Sequence, residues 1–101
     1  MRLKFDYSTY VDVNDTTRPL IAIPANSFVS YSVTIKANIE FNLTLFYFSE
    51  NYRQIKEAPL GSGTEFLISS DDYGFAHFII VMVDVAQTYT VYIQTETLYP
   101  V

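Results

Sequence analysis

Apolar and polar positions alternate with a period of two along most of this 101-residue chain. Successive side chains of an extended strand point to opposite sides, so the pattern predicts strands with one dry and one wet face. In 28–36, "FVSYSVTIK", Val29, Tyr31, Val33 and Ile35 alternate with Ser30, Ser32, Thr34 and Lys36. In 39–48, Ile39, Phe41, Leu43, Leu45 and Tyr47 form one side. The other side begins polar at Glu40, Asn42 and Thr44 and turns aromatic at Phe46 and Phe48. Further on, Tyr89, Val91 and Ile93 alternate with Thr88, Thr90, Tyr92 and Gln94, and the opening stretch keeps Leu3, Phe5, Tyr7, Val11 and Val13 in phase.

Short connectors separate these runs. Pro19 and Pro24 bracket "LIAI", which reads as an edge strand because proline cannot donate to a ladder. Residues 25–27, 36–38 and 69–74 read as turns and "PLGSG" (59–63) as a flexible loop. The only candidate helix is 49–58, ending at Pro59, with a strand plus loop as its alternative. Seven to eight short strands without helical crossovers predict an all-β fold. The expected form is an antiparallel β-sandwich of jelly-roll or Greek-key type, in a single domain over 1–101.

One segment breaks the alternation. From Phe75 to Val83 only His77 is polar. Phe75, His77, Ile79, Val81 and Val83 make one face, and Ala76, Phe78, Ile80 and Met82 the other. If the first lines the core, the second exposes about 300 Å2 of apolar surface, near the upper range for a monomer. At ~25 cal/mol per Å2, covering that area is worth several kcal/mol. Either the chain covers itself, with residues 1–13 or 49–58, or a second copy does. Thinly spread charges and the prevalence of symmetric homo-oligomers favour the second copy. Phe46, Phe48, Phe78, Ile80 and Met82 are the expected interface. The N-terminal strand is a further candidate for pairing with a neighbour by strand addition.

Charge and composition narrow the function. The net charge is −5 and the six basic residues are scattered. Nucleic-acid binding needs clustered Lys and Arg, so no nucleic-acid partner is expected. The same charge disfavours an anionic membrane. The segments outside 74–85 lack an apolar lipid face, so no membrane insertion is expected. Without cysteine, disulfides, thiolate nucleophiles and Cys-based zinc sites are absent. Asp6 interrupts what would be the apolar core of a signal peptide. No signal peptide is therefore read in this chain, and the compartment stays open between a virion or extracellular surface and the cytoplasm.

Three segments in order, "SFVSYSVTI", "NLTLFYFSEN" and "AQTYTVYIQ", resemble bacterial pre-peptidase C-terminal modules, small jelly-roll sandwiches. The resemblance spans about residues 20–95. It implies a non-catalytic, often secreted module that accompanies hydrolases. Three positions depart from that family: Gln87 replaces its turn glycine, and Asn42 and Thr44 replace acidic residues of its middle strand.

The candidate sites are few. His77 is the only histidine, so a two-histidine metal site is impossible. No serine sits in a nucleophile turn to complete a triad with it. It reads as an interior or interface histidine. Asp71 and Asp72, and Asp12, Asn14 and Asp15 in "DVND", are turn formers and candidate oxygen ligands for calcium, the only cofactor considered. Asn14 and Asn42 head N-glycosylation triplets. Tyr10, Tyr47, Tyr52, Tyr73, Tyr92 and Tyr99 are candidates for partial exposure. Of these, Tyr52, Tyr73 and Tyr92 are candidate ligand-binding residues, since a tyrosine ring suits interfaces and sugar stacking. The leading expectation is a non-catalytic, self-associating structural or assembly protein. A carbohydrate- or surface-binding module comes second and an acid-dependent hydrolase third.

Overall fold

Residues 36–38 do not turn the chain; they continue one strand, β3 (Ser30–Phe48). The computed structural model describes residues 1–51 and 54–98. Alongside β3 it contains β1 (Arg2–Asp12), β2 (Ile21–Ile23), β4 (Gln54–Ser69), β5 (Phe78–Val83), β6 (Thr88–Leu98) and a helical turn, α1 (Ser70–Tyr73). All strand pairings are antiparallel.

Two long, bent strands build both layers. The first part of β3 pairs with β6 on one side and with the end of β4 on the other. Its second part pairs with β5 and with the start of β4. One layer therefore runs β1-β6-β3-β4 and the other β2-β5-β3-β4. With β3 and β4 each counted as two passages, eight passages form the two sheets of a jelly-roll. The six described strands thus do the work of the seven to eight expected. The shortest dimension, 20 Å, admits two sheets packed about 10 Å apart and no third layer.

The bend has identifiable causes. The register of β3 on β4 shifts between Lys36 and Phe41, a local irregularity that turns a strand without ending it. Ile39 N–H donates to Gln87 Oε1 (3.0 Å), and Gln87 Nε2 donates back to Ile39 C=O (2.8 Å). A side-chain amide thus stands in for a strand partner at the bend. Beside it, Asn42 N–H and Nδ2 donate to the two carboxylate oxygens of Asp84, at 2.7 and 2.8 Å.

The other sequence-based boundaries move for related reasons. "PLGSG" lies inside β4, whose pairing is with β3 alone. Pro59 is tolerated there because an edge strand leaves one side of its backbone unpaired. Pairing passes from Leu43↔Gly61 to Thr44↔Pro59, so Leu60 bulges out and Gly61 takes φ +91°, a conformation open to glycine. The expected helix over 49–58 is strand from Gln54 onward. "SSDDYG" forms α1 rather than a simple turn. "LIAI" gives β2 as expected, pairing with β5 alone.

The core is continuous across both layers. Tyr31, Val33, Ile35, Ile68, Tyr89 and Val91 pack with Phe41, Leu43, Leu45, Ile79, Val81 and Val83. Phe41, just past the bend, meets the Tyr89 ring edge-on at 4.8 Å. The Tyr89 hydroxyl donates to Val85 C=O, four residues back, closing the link between β5 and β6. Burial pushes its pKa up. The Tyr31 hydroxyl donates to Tyr73 C=O at 3.2 Å, and burial raises its pKa to about 12.

Candidate functional site

Inward positions are alike in the two layers, so the candidate surfaces are the outward ones. Cross-strand register fixes which residues share each surface.

On the second layer, Phe46 lies opposite Ile80, Phe48 opposite Phe78 and Thr44 opposite Met82. Ala22 extends the Ile80 row on the β2 side, and Glu57 lies beyond Phe46 on β4. The five residues predicted as an interface are therefore gathered into one patch. They are all half-buried, shielding one another side by side; the Phe48 and Phe78 rings are 6.0 Å apart. Strand order, which periodicity alone leaves open, is what joins Phe46 and Phe48 to β5.

Among the described residues, neither of the chain's own candidate covers lies over this patch. β1 sits at the opposite end of the strand order, bonded to β6. From Gln54 the 49–58 segment is a strand beside β3, so it widens the surface instead of capping it. Beyond its sheet neighbours β3 and β2, β5 packs on the 3-10 turn Ala25–Ser27 at its start.

The first layer's outer surface is polar. Its rows read Lys4–Glu96–Ser30, Asp6–Gln94–Ser32–Ser69, Ser8–Tyr92–Thr34–Leu67 and Tyr10–Thr90–Lys36–Glu65. Arg2 Nη1 lies 3.4 Å from Glu96 Oε1, Ser30 Oγ donates to Glu96 Oε2 at 3.1 Å, and Lys36 is 3.9 Å from Glu65. Tyr10 (78% exposed) and Tyr92 (37%) stand among these groups. Tyr10, Lys36, Glu65, Thr88 and Thr90 border a shallow hollow of about 320 Å3.

The remaining predicted residues are dispersed. His77 is not on the core face of a strand. The strand starts at Phe78, because Ala76 N–H closes a turn onto Tyr73 C=O and Ala76, not His77, is buried. Phe75 is correspondingly 62% exposed. His77 is half-buried, its Nε2 3.8 Å from Glu50 Oε2, and both line a hollow with Ser27 and Ser49. Tyr47 is buried against Tyr73 and Phe75 rather than exposed. Tyr73 is half-buried in the same cluster, and burial raises its pKa. Tyr52 and Tyr99 lie outside the described residues.

The calcium candidates fall in two places: Asp12, Asn14 and Asp15 border one hollow, and Asp71 and Asp72 lie apart on α1. Asp12 accepts from the Thr88 hydroxyl. Asp15 accepts from the Thr17 hydroxyl and N–H, which hold its carboxyl below the usual range, and lies 3.6 Å from Arg18. Asn14 is exposed, as are Asp71 and Asp72 in the first turn of α1. Among the described residues no three Asp, Glu or His side chains gather as a metal site requires.

No family model and no curated protein matches the chain. Solved structures do match in fold. The SPBc2 prophage-derived protein YomS is 10% identical over 96% of this chain and 96% of that one, with a TM-score of 0.58. A chain from Bacillus endospore appendages, described as disulfide-linked pili, is 12% identical over 97% of this chain and 87% of that one, TM-score 0.38. The Clostridium thermocellum xylanase 10B, as CBM22-1 and GH10 modules complexed with xylohexaose, is 15% identical over 98% of this chain and 26% of that one, TM-score 0.45. At these identities the likeness is one of fold: an antiparallel β-sandwich.

Proposed function

We propose that the protein is a non-catalytic structural subunit that associates with copies of itself through the outer surface of its second layer. One observation carries this reading. Register assembles Phe46, Phe48, Phe78, Ile80 and Met82 into a single apolar patch, and among the described residues neither candidate segment, 1–13 or 49–58, covers it. A second copy fits the patch because Glu57 at the β4 margin is its one charged neighbour in the register rows. A two-fold contact there brings no like charges together at its centre. The thermal midpoint should rise with protein concentration, because association stabilises the folded state by mass action. Ile80→Asp should remove most of that rise. A concentration-independent midpoint in the unmodified protein would refute the reading.

A second reading is favoured by the first layer: the exposed rings of Tyr10 and Tyr92 amid Ser, Thr, Asp and Gln side chains suit a carbohydrate. Binding on a glycan array, lost in Tyr92→Ala, would support it. An array without signal would leave the first layer as a solvated face.

A further inference from the structure

We infer that β1 is a second, independent contact: two copies pair through it edge to edge, antiparallel, about a two-fold axis at Phe5. The argument rests on the free edge of the first layer and not on the apolar patch of the second. β1 has 11 residues and ends the strand order, bonded to β6 alone. It contains neither proline nor glycine and pairs with β6 without a register shift. The usual devices that blunt an open edge are therefore missing, apart from its charges.

Backbone direction follows from one hydrogen bond. Val13 N–H donates to Gln87 C=O at 3.0 Å. In an antiparallel ladder a residue turns both backbone groups to the same neighbour, and the next residue turns them away. Leu3, Phe5, Tyr7, Thr9 and Val11 therefore address β6, while Arg2, Lys4, Asp6, Ser8 and Tyr10 offer N–H and C=O groups to the open edge.

The side chains also await a neighbour. Phe5 and Tyr7 share the surface that is core further along the sheet, since Val11 lies opposite the buried Tyr89. Yet they are 60% and 61% exposed. Among the described elements β6 is the one sizeable neighbour of β1, and β2, the edge strand of the other layer, spans only Ile21–Ile23. A second β1 laid alongside covers both rings.

Charge selects the register. Matching faces and backbone direction requires even positions to meet even positions. An axis at Lys4 or at Asp6 sets like charges opposite each other. An axis at Phe5 sets Lys4 opposite the second copy's Asp6 and the reverse, with Leu3 opposite Tyr7 and Phe5 opposite Phe5. Among the described residues, Lys4 and Asp6 have no ion pair or hydrogen bond of their own. Glu96, across from Lys4 on β6, is held by Arg2 and Ser30. An axis at Tyr7 instead depends on Arg2 meeting Asp12, and both are engaged, with Glu96 and with Thr88.

The chain has no cysteine, which permits a clean cross-linking test. At the axis the two Phe5 residues form a non-hydrogen-bonded pair with Cα atoms about 4.5 Å apart, within disulfide range. Under mild oxidation Phe5→Cys should give a covalent dimer at least tenfold faster than the equally exposed Tyr7→Cys. In an Ile80→Asp background, which disables the apolar patch, Lys4→Asp or Asp6→Lys alone should raise the concentration of half-dimerisation about tenfold. The combined exchange should restore it. Cross-linking that is equal in the two cysteine variants, or faster through Tyr7→Cys, would overturn the inference, as would charge exchanges without effect. Either result leaves the reading of the second layer standing.

Discussion

The two halves of β3 bury the same kind of side chain and differ in what they turn outward. Inward, Tyr31, Val33 and Ile35 in the first half match Leu43, Leu45 and Tyr47 in the second, all buried. Outward, the first half shows Ser30, Ser32, Thr34 and Lys36, and the second shows Asn42 and Thr44 and then Phe46 and Phe48. Folding of a two-layer sandwich asks only for the inward match. The proposed self-association rests on this outward difference, which folding of the single chain does not require.

Neighbouring positions on β3 give the widest test of this division. Leu45→Ala should cost about 3 kcal/mol of unfolding free energy, as expected for a fully buried leucine. Phe46→Ala should cost less than half as much at low concentration, read from urea titrations with an unchanged slope. Its main effect should appear at high concentration, as weaker association. Equal costs at both positions would merge the two surfaces into one core role.

A smaller effect is expected at the bend that separates the two halves. Gln87→Ala removes both bonds to Ile39 and should cost about 1 kcal/mol, since water can reach the exposed backbone groups. Hydrogen exchange at Ile39 should quicken. A variant with unchanged stability and exchange would show that the bend holds itself.

The smallest effect is acid-dependent. The Asn42 side chain, and then its N–H, hold the Asp84 carboxyl below the usual carboxylate range. A depressed folded-state pKa contributes stability above the unfolded value of about 4 and loses it as pH falls through the folded one. Asn42→Ala should therefore lower the unfolding free energy at pH 7 slightly, by no more than about 1 kcal/mol for so exposed a pair. It should have no effect at pH 2. An identical difference at both pH values would assign the effect to packing instead.

Much of this architecture was legible in the chain. Alternation located the inward residues of β3, β5 and β6 because a half-buried strand imposes a period of two. The bend at 37–40 was not legible. "KAN" has turn composition, and the amide that keeps the backbone in a sheet belongs to Gln87, far along the sequence. Gln87 and Asn42, two of the three positions that depart from the pre-peptidase pattern, hold this corner; Thr44, the third, does not. His77 was placed by extending an alternation past its strand, where the turn closed by Ala76 shifts the phase. The apolar patch was half legible: Phe78, Ile80 and Met82 from the missing alternation, and their union with Phe46 and Phe48 only from strand order. The exposure of Phe5 and Tyr7 was hidden, since periodicity reports which side a residue takes and not whether anything lies above it.

The most direct test sets an aspartate on each outer surface and weighs the result. Light scattering on a sizing column, at one concentration, gives the mass of the unmodified protein, of Ile80→Asp and of Thr34→Asp. The second-layer assignment predicts that the unmodified protein is a multiple of 11.6 kDa, that Thr34→Asp keeps the same mass and that Ile80→Asp is lighter. Equal masses for all three, or a loss of mass only in Thr34→Asp, would contradict it.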